Sequence, residues 1–473
     1  MPSQLPNLVS VTTIADDGSH VCLHPSDVKG RFTIFRRMFG VLLIAFYVLL
    51  PWIPIRGQPA LFFDLANGRF HIFGLTFLTQ DFWLAFFVVS GVGFGLFYLT
   101  SLFGRLWCGW GCPYTVFLEH VFRRIERWID GDAPARHKLD RAPWTASKIA
   151  KRLLKHTLYL ICATLIAHVF LSYFVSIKQL YAFLHESPLE HIKSFAVVAF
   201  LTTVLYFCFA WFREQFCIIL CPYGRIQSAL TDDDTMIIGY DENRGEPRGK
   251  AKDPNAGDCI DCKRCVSVCP TGIDIRNGLQ LECIGCAACI DACDAIMSKL
   301  GRDRGLVRYD SFNGLAGKTR RFIRPRILLY TGFMALGASV LTFALTRVHD
   351  VDVFTTRMPG MPYYVTDDSV RNQYKLRIFT KRPEETTFHL SIENPPEGLI
   401  AGGLDEEIVV DALGSAEHPF TAIIPREHYQ GPTTITLVSK SEPGGTVIKH
   451  ELKFAGPNAR LLAEDAAAGE GGE

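Results

Sequence analysis

Charge of one sign is what this chain lacks: 49 Lys and Arg stand against 48 Asp and Glu, a formal net charge of +1 over 473 residues. So even a balance argues against a nucleic-acid partner, which needs a basic face to meet phosphates. The segment after Arg347 has no cysteine, so no disulfide can staple it. Histidine is scarce in the apolar runs: only His168 lies deep inside one, with His120, His156 and His191 at edges. A bis-histidine membrane haem needs facing imidazoles at similar depth, and they are missing. His168 is expected to be a hydrogen-bonded interhelical residue, with a part in a quinol site as the lesser alternative. The polar first 30 residues carry no cleavable-signal pattern, so the first apolar run is expected to act as an uncleaved signal-anchor.

What the chain has instead is apolar length. Hydrophobic residues make up 48% and Phe alone numbers 35. Five runs carry no charge: Met38 to Ile55, Phe82 to Gly104, His156 to Ile177, Ser194 to Phe212 and Ile327 to Thr346. Each is near the roughly 20 residues that a helix needs to cross a bilayer core. Arginines and lysines crowd one set of loops, from Lys29 to Arg37, from Arg105 to Lys155, and from Arg320 to Arg326, whereas the opposite loops hold few. By the positive-inside rule the amino terminus and the segment between the fourth and fifth runs face the cytoplasm, and the region after the fifth lies outside a bacterial inner membrane.

Eight of the 15 cysteines fall between Asp258 and Asp294 in two runs of the form C-x2-C-x2-C-x3-C. The first is Cys259, Cys262, Cys265 and Cys269, followed by Pro270; the second is Cys283, Cys286, Cys289 and Cys293. This is the spacing of ferredoxins with two 4Fe-4S clusters, where the fourth cysteine of each run ligates the other cluster. One cluster is therefore expected on Cys259, Cys262, Cys265 and Cys293, and the other on Cys283, Cys286, Cys289 and Cys269. Zinc or a disulfide framework is the competing assignment, but four thiolates suffice for zinc and two interlocked runs exceed that need.

A repeat delivers four more thiols. The second run ends in Trp107-Cys108-Gly109-Trp110-Gly111-Cys112-Pro113-Tyr114 and the fourth in Phe216-Cys217-Ile218-Ile219-Leu220-Cys221-Pro222-Tyr223, each an aromatic followed by C-x3-C-P-Y. The first four spans thus read as two related hairpins bringing Cys108, Cys112, Cys217 and Cys221 to one membrane face. If these ends stay helical, cysteines four apart share a face and can bite one metal. Soft thiolates favour Cu(I), while a dithiol couple, an extra iron site or simple packing would use the same atoms. Met358 and Met361 form an M-x-x-M pair, a weaker copper candidate that is more often packing or linker surface. Cys22, Cys162 and Cys208 are isolated and expected to have no chemical role.

Beyond about Val348 short alternating stretches, Tyr374 to Thr380, Thr386 to Ile392, Phe420 to Ile424, Thr433 to Ser439 and Val447 to Phe454, are separated by Pro, Gly and Asn. That pattern reads as an immunoglobulin-like β-sandwich. The fold class is thus a multi-domain membrane protein with five transmembrane helices, a cytoplasmic dicluster ferredoxin-like domain and a carboxy-terminal β-sandwich. The expected divisions are a tail over 1–37, a four-helix region over 38–230, the cluster domain over 231–326, the fifth helix over 327–347, the β domain over 348–460 and a disordered acidic tail over 461–473.

The run from Cys265 through Cys293, the segment Gly68 to Gly74, both C-x3-C-P motifs, the fifth span and the β tail together resemble the FixG/RdxA or CcoG-type cytochrome oxidase accessory proteins. Asp294 stands where a Pro often follows the last cluster cysteine. The resemblance implies a membrane-bound iron-sulfur oxidoreductase that reduces Cu(II) to Cu(I) for cbb-type oxidase assembly. It makes Cys108, Cys112, Cys217 and Cys221 the copper residues. Copper, lipid, and the oxidase subunits or copper chaperones and transporters become the partners. A quinol dehydrogenase feeding an exported reductase, and an assembly scaffold or redox sensor, are the rival functions.

Overall fold

A computed structural model describes residues 22–346, 348–404, 406–460 and 462; the expected acidic tail, apart from Leu462, and the first 21 residues lie outside them. The chain divides into two compact units, Met1–Thr342 and Phe343–Glu473.

In the first unit, helices long and apolar enough to span a membrane run over Arg31–Trp52, Trp83–Phe103, Ala146–Leu171, Ile192–Phe212 and Pro325–Leu345. Their outward side chains, such as Phe86, Val89, Phe200 and Leu336, are exposed, which only a lipid surroundings would cover. The third helix begins well before its charge-free run. Thr145 caps it through Lys148 N, and the Lys148 and Lys155 ammonium groups turn back to the Asp140 and Ala142 carbonyls and to Asp130 at 2.7 Å. Basic side chains with long stems can thus occupy a helix end without breaking it. Between the first two spans the strands Leu61–Asp64, Arg69–Ile72 and Leu75–Leu78 form a small antiparallel sheet.

Repeated sequence becomes repeated backbone. The second span ends at Gly104 (φ 56°, ψ −126°) and the fourth at Arg213 (φ 46°, ψ −124°), equivalent positions in the two hairpins. Glycine is needed at the first, because a Cβ there would lie 2.4 Å from the Met236 carbonyl oxygen. At the second a non-glycine residue accepts the left-handed strain because buried Glu126 grips its guanidinium at 2.6 Å. The tyrosines of the two motifs then clasp the opposite hairpin. Tyr114 Oη donates to the Arg213 carbonyl at 2.6 Å, and Tyr223 Oη pairs with Thr100 Oγ1 at 2.6 Å.

The cysteine-rich segment packs beneath these helices around the strand pair Ile237–Tyr240 and Val307–Asp310 and the helix Ala288–Lys299. It is fastened to the first span by Asp291, whose carboxylate accepts from Thr33 N and Thr33 Oγ1, both at 2.7 Å. A carboxylate at a helix N-terminus satisfies free amides and meets the positive end of the dipole.

The second unit is a two-sheet antiparallel sandwich. One sheet orders Ile400–Gly402, Ser415–Pro425, Ser369–Thr380 and Val351–Arg357, with Tyr364–Val365 paired onto Ser369–Thr380; the other orders Ile408–Val410, Thr386–Glu393, Thr433–Glu442 and Val447–Phe454. Alternate side chains of Ser369–Thr380 are buried, so Val370, Tyr374, Leu376 and Ile378 meet Phe388, Ile435 and Leu437 of the facing sheet in one core.

Candidate redox site

Both cysteine runs are bent in the same way. The residues just before and after the second cysteine are left-handed in each: Asp261 and Lys263 (φ 54° both) around Cys262, Gly285 (φ 67°) and Ala287 (φ 62°) around Cys286. Such reversals turn successive side chains inward around a hollow. One hollow is lined by Cys259, Cys262, Cys265 and Cys293, and the next by Cys269, Cys283, Cys286 and Cys289, with Cys265 on the border of both. Burial pushes the Cys283 thiol up to about 12, Cys293 to about 12 and Cys265 to about 11, with neighbouring thiols adding to the first two. Buried thiols crowded this way require a cationic partner to ionise, and iron supplies that charge, so the donor set fits two clusters.

The four motif thiols also converge. Burial, and then the neighbouring Cys112, Cys108 and Cys221, push the Cys217 thiol far up. Cys108 rises to about 11 through burial, eased by Gln227, whose amide nitrogen lies 3.3 Å from Sγ, and by Arg105. The expected helical face is corrected by the backbone: Cys112 (φ −62°, ψ 121°) and Cys221 (φ −71°, ψ 110°) are extended. Pro113 and Pro222 follow them, and the residue before a proline is driven out of the helical region. The pairs therefore meet across the two hairpins rather than along one helix. Among the described residues only Glu186, Glu190 and His191 bring three or more His, Cys, Asp or Glu ligand atoms within 4.8 Å of one another, so neither thiol set is closed to single-ion spacing.

The first motif abuts the second cysteine hollow. Cys108 packs against the buried cluster of Val268, Ile284, Cys286, Ala288 and Ala292. A Cβ on Gly109 would lie 2.6 Å from the Ile284 oxygen and 2.9 Å from Cys286 backbone, so only glycine permits this approach. Three polar ties hold it: Arg36 Nε donates to the Gly109 oxygen at 2.9 Å, Arg105 to the Cys283 oxygen at 3.4 Å, and Trp110 Nε1 to Tyr309 Oη at 3.2 Å. Tyr309 in turn donates to the Gly285 oxygen at 2.6 Å.

Sequence reasoning missed the buried ion network that locks these parts together. Arg123 pairs with Glu119 and, at 3.0 Å, with Glu214, and donates to the Pro270 oxygen next to Cys269 at 3.0 Å. Arg213 pairs with Glu126, and Cys22 Sγ lies 3.0 Å from Arg213, which gives that cysteine a packing place. Burial opposes charge on Glu119 and Glu126, yet Arg123 with Arg36, and Arg213 respectively, outweigh it and hold both carboxyls down to about 2. A pair of acidic residues i−4 and i+3 of Arg123 was the available signal, but its meaning depended on partners far along the chain. Met358 and Met361 lie in the second unit between two strands, 38% and 69% exposed. His168 is hydrogen-bonded within its own helix, Nδ1 to the Thr164 oxygen at 2.8 Å.

Family models agree with this layout. One for a 4Fe-4S dicluster domain matches residues 212–312, one for a 4Fe-4S binding domain matches 82–131, and one for the Ig-like fold at the carboxy terminus of FixG matches 341–457. The nitrogen fixation protein FixG of Rhizobium meliloti is 36% identical over 419 residues, covering 79% of this chain and 79% of that protein. Protein RdxA of Cereibacter sphaeroides is 36% identical over 447 residues, covering 89% of this chain and 94% of its own. This chain belongs to the FixG/RdxA family. Protein RdxB of Cereibacter sphaeroides, 34% identical over 468 residues, covers 94% of this chain and 93% of its own. The chain is thus a membrane-embedded iron-sulfur electron-transfer protein, and the match over 82–131 places Cys108 and Cys112 inside an iron-sulfur-binding model as well.

Proposed function

We propose that the chain reduces Cu(II) to Cu(I) at the four motif thiols, using electrons stored on two 4Fe-4S clusters, and thereby serves copper delivery to a cbb-type oxidase. The packing of Cys108 against the buried cluster that contains Cys286, with Gly109 close against the Ile284 and Cys286 backbone, carries this reading. Cys259, Cys262, Cys265 and Cys293 hold one cluster and Cys269, Cys283, Cys286 and Cys289 the other. When bound, the clusters supply one electron at a time, which matches an ion that changes by one. Cys108, Cys112, Cys217 and Cys221 stabilise the product, since Cu(I) is the softer ion. Arg105 and Gln227 favour the thiolate of Cys108. The basic loops support a reading in which the clusters and thiols face the cytoplasm and the sandwich the periplasm. Oxidase subunits or copper carriers would then be the partners, with exposed Met358 and Met361 a secondary copper contact. Dithionite-reduced protein given Cu(II) and a Cu(I) chelator tests this: the variant with all four motif cysteines replaced by Ser should lose Cu(I) production. Wild-type rates in that variant overturn the assignment.

A second reading has its own support. The wide thiol spacing and the 4Fe-4S model over 82–131 favour a further iron-sulfur group on the same four thiols. Iron content that falls in the four-Ser variant while the eight cluster cysteines are intact distinguishes it.

A further inference from the structure

Between the third and fourth spans, toward the ends away from the C-x3-C-P motifs, lies a cavity of about 510 Å³. Its walls are mostly apolar, supplied by residues such as Leu171, Phe183, Leu184, Phe195 and Val198. A space of this size with few polar groups suits a small amphipathic molecule. Those few groups are specific. Thr202 is 8% exposed, lines the cavity, and its hydroxyl has no hydrogen-bond partner among the described residues. Helical threonines ordinarily bond a carbonyl one turn back, as neighbouring Thr203 does to Ala199 at 2.8 Å. Leaving a buried hydroxyl unsatisfied is unfavourable, and a ligand carbonyl would relieve it. His168 also lines the cavity. Because the Thr164 carbonyl can only accept, the 2.8 Å bond puts the hydrogen on Nδ1 and leaves Nε2 an acceptor. At the mouth His191 pairs with Glu186 and stacks on Phe183, with ring centroids 3.9 Å apart.

A lipid acyl chain would fill the space and use none of these groups. A quinone ring offers a carbonyl to Thr202, and its reduced form offers a hydroxyl to His168. The interior end of the cavity also leads toward the thiols. Thr164 is about 7.5 Å along the helix from Tyr159, at 1.5 Å per residue. Tyr159 begins a run of ring contacts: to Phe122 at 5.1 Å, then Phe209 at 4.4 Å, Tyr114 at 5.0 Å and Phe216 at 4.2 Å, the residue preceding Cys217.

We propose that this cavity binds and oxidises a membrane quinol, making the quinol the electron donor. The inference rests on the reading that the eight cluster cysteines hold one-electron acceptors. Both O–H bonds of the quinol break. One proton goes to His168 Nε2 and the other to the His191–Glu186 pair, and both leave through the mouth. The quinone is released, and the quinol's two electrons would go one at a time to the one-electron acceptors that Cys259, Cys262, Cys265 and Cys293 and Cys269, Cys283, Cys286 and Cys289 would hold.

The test uses full-length protein in phosphatidylcholine nanodiscs with an azido-ubiquinone photolabel. Label should map to peptides within 164–203 and be displaced by decylubiquinone. Thr202→Val should raise the displacing concentration about tenfold, the effect of one good hydrogen bond, and Thr202→Ser should restore it. His168→Leu should slow cluster reduction by decylubiquinol at least tenfold while dithionite reduction and iron content stay at wild-type values. Label confined to other segments, or a lipid occupant that decylubiquinone cannot displace, overturns the proposal. So does unchanged affinity in Thr202→Val. Failure of decylubiquinol to reduce clusters in protein that still makes Cu(I) after dithionite also defeats it, with the copper reading intact. Quinol oxidation without Cu(I) production defeats the copper reading alone.

Discussion

The two C-x3-C-P segments follow the same backbone path but face different surroundings. Between Cys108 and Cys112 stand Gly109, Trp110 and Gly111, pressed onto the cysteine-rich segment. Between Cys217 and Cys221 stand Ile218, Ile219 and Leu220, the last two 40% and 60% exposed. The two segments therefore share the turn and the thiols, while the intervening residues differ with what each half touches. The first half makes the contact with the cysteine-rich segment; the second brings the other two thiols and leaves Ile219 and Leu220 exposed.

Gly109→Val should break that contrast most severely. A side chain driven into Ile284 and Cys286 backbone must push the two sites apart, and an ångström of misplacement can cost about 100-fold in rate. Stopped-flow oxidation of dithionite-reduced clusters by Cu(II) measures it, and a near wild-type rate would show that the close approach is incidental. Arg123→Met comes next, because it leaves buried Glu119 and Glu214 with only the longer pairs to Arg36 at 3.5 Å and Arg213 at 3.7 Å, a loss of up to about 3–5 kcal/mol. Maleimide labelling of Cys22, now shielded beside Arg213, should rise in that variant.

Acid should loosen the same network. Glu119 and Glu126 are depressed to about 2 when folded, against about 4.3 for a free glutamate. Their stabilisation is complete above about pH 4.3 and drains away as pH falls toward 2, on the order of 3 kcal/mol per group. The thermal midpoint of iron-free protein should therefore drop across that window, and Glu119→Gln should flatten the drop. Asp291→Ala removes the cap on the first span and should cost about 1 kcal/mol in the same assay. Leu220→Ala, at an exposed position of the second motif, should change stability by about 0.5 kcal/mol or less and leave the rate unaltered.

Much of this was legible because it is local. Cysteine spacing announced the two hollows, charge-free runs announced the spans, and alternation announced all or part of five sandwich strands, though not Val351–Arg357. Short strands such as Ile400–Gly402 and Ile408–Val410 escaped notice, having too few residues to show a period. The third span began before its apolar run because Lys148 and Lys155 find partners only once Asp130 and Asp140 are folded nearby. Asp291, sitting between two expected ligands, reads as an incidental acid until Thr33, 258 residues away, is seen to need a cap. Gly109 likewise looks like flexibility, whereas its meaning is a backbone contact with Cys286. Pairings over such separations leave no periodic trace in one sequence.

The central claim is that electrons leave the cysteine-rich segment through the motif thiols. Electron spin resonance of anaerobic, dithionite-reduced protein after one equivalent of Cu(II) tests it most directly. Wild type should lose the reduced-cluster signal with no Cu(II) signal appearing, while protein with Cys108, Cys112, Cys217 and Cys221 changed to Ser should keep both. Equal loss of the cluster signal in the two proteins would contradict the account.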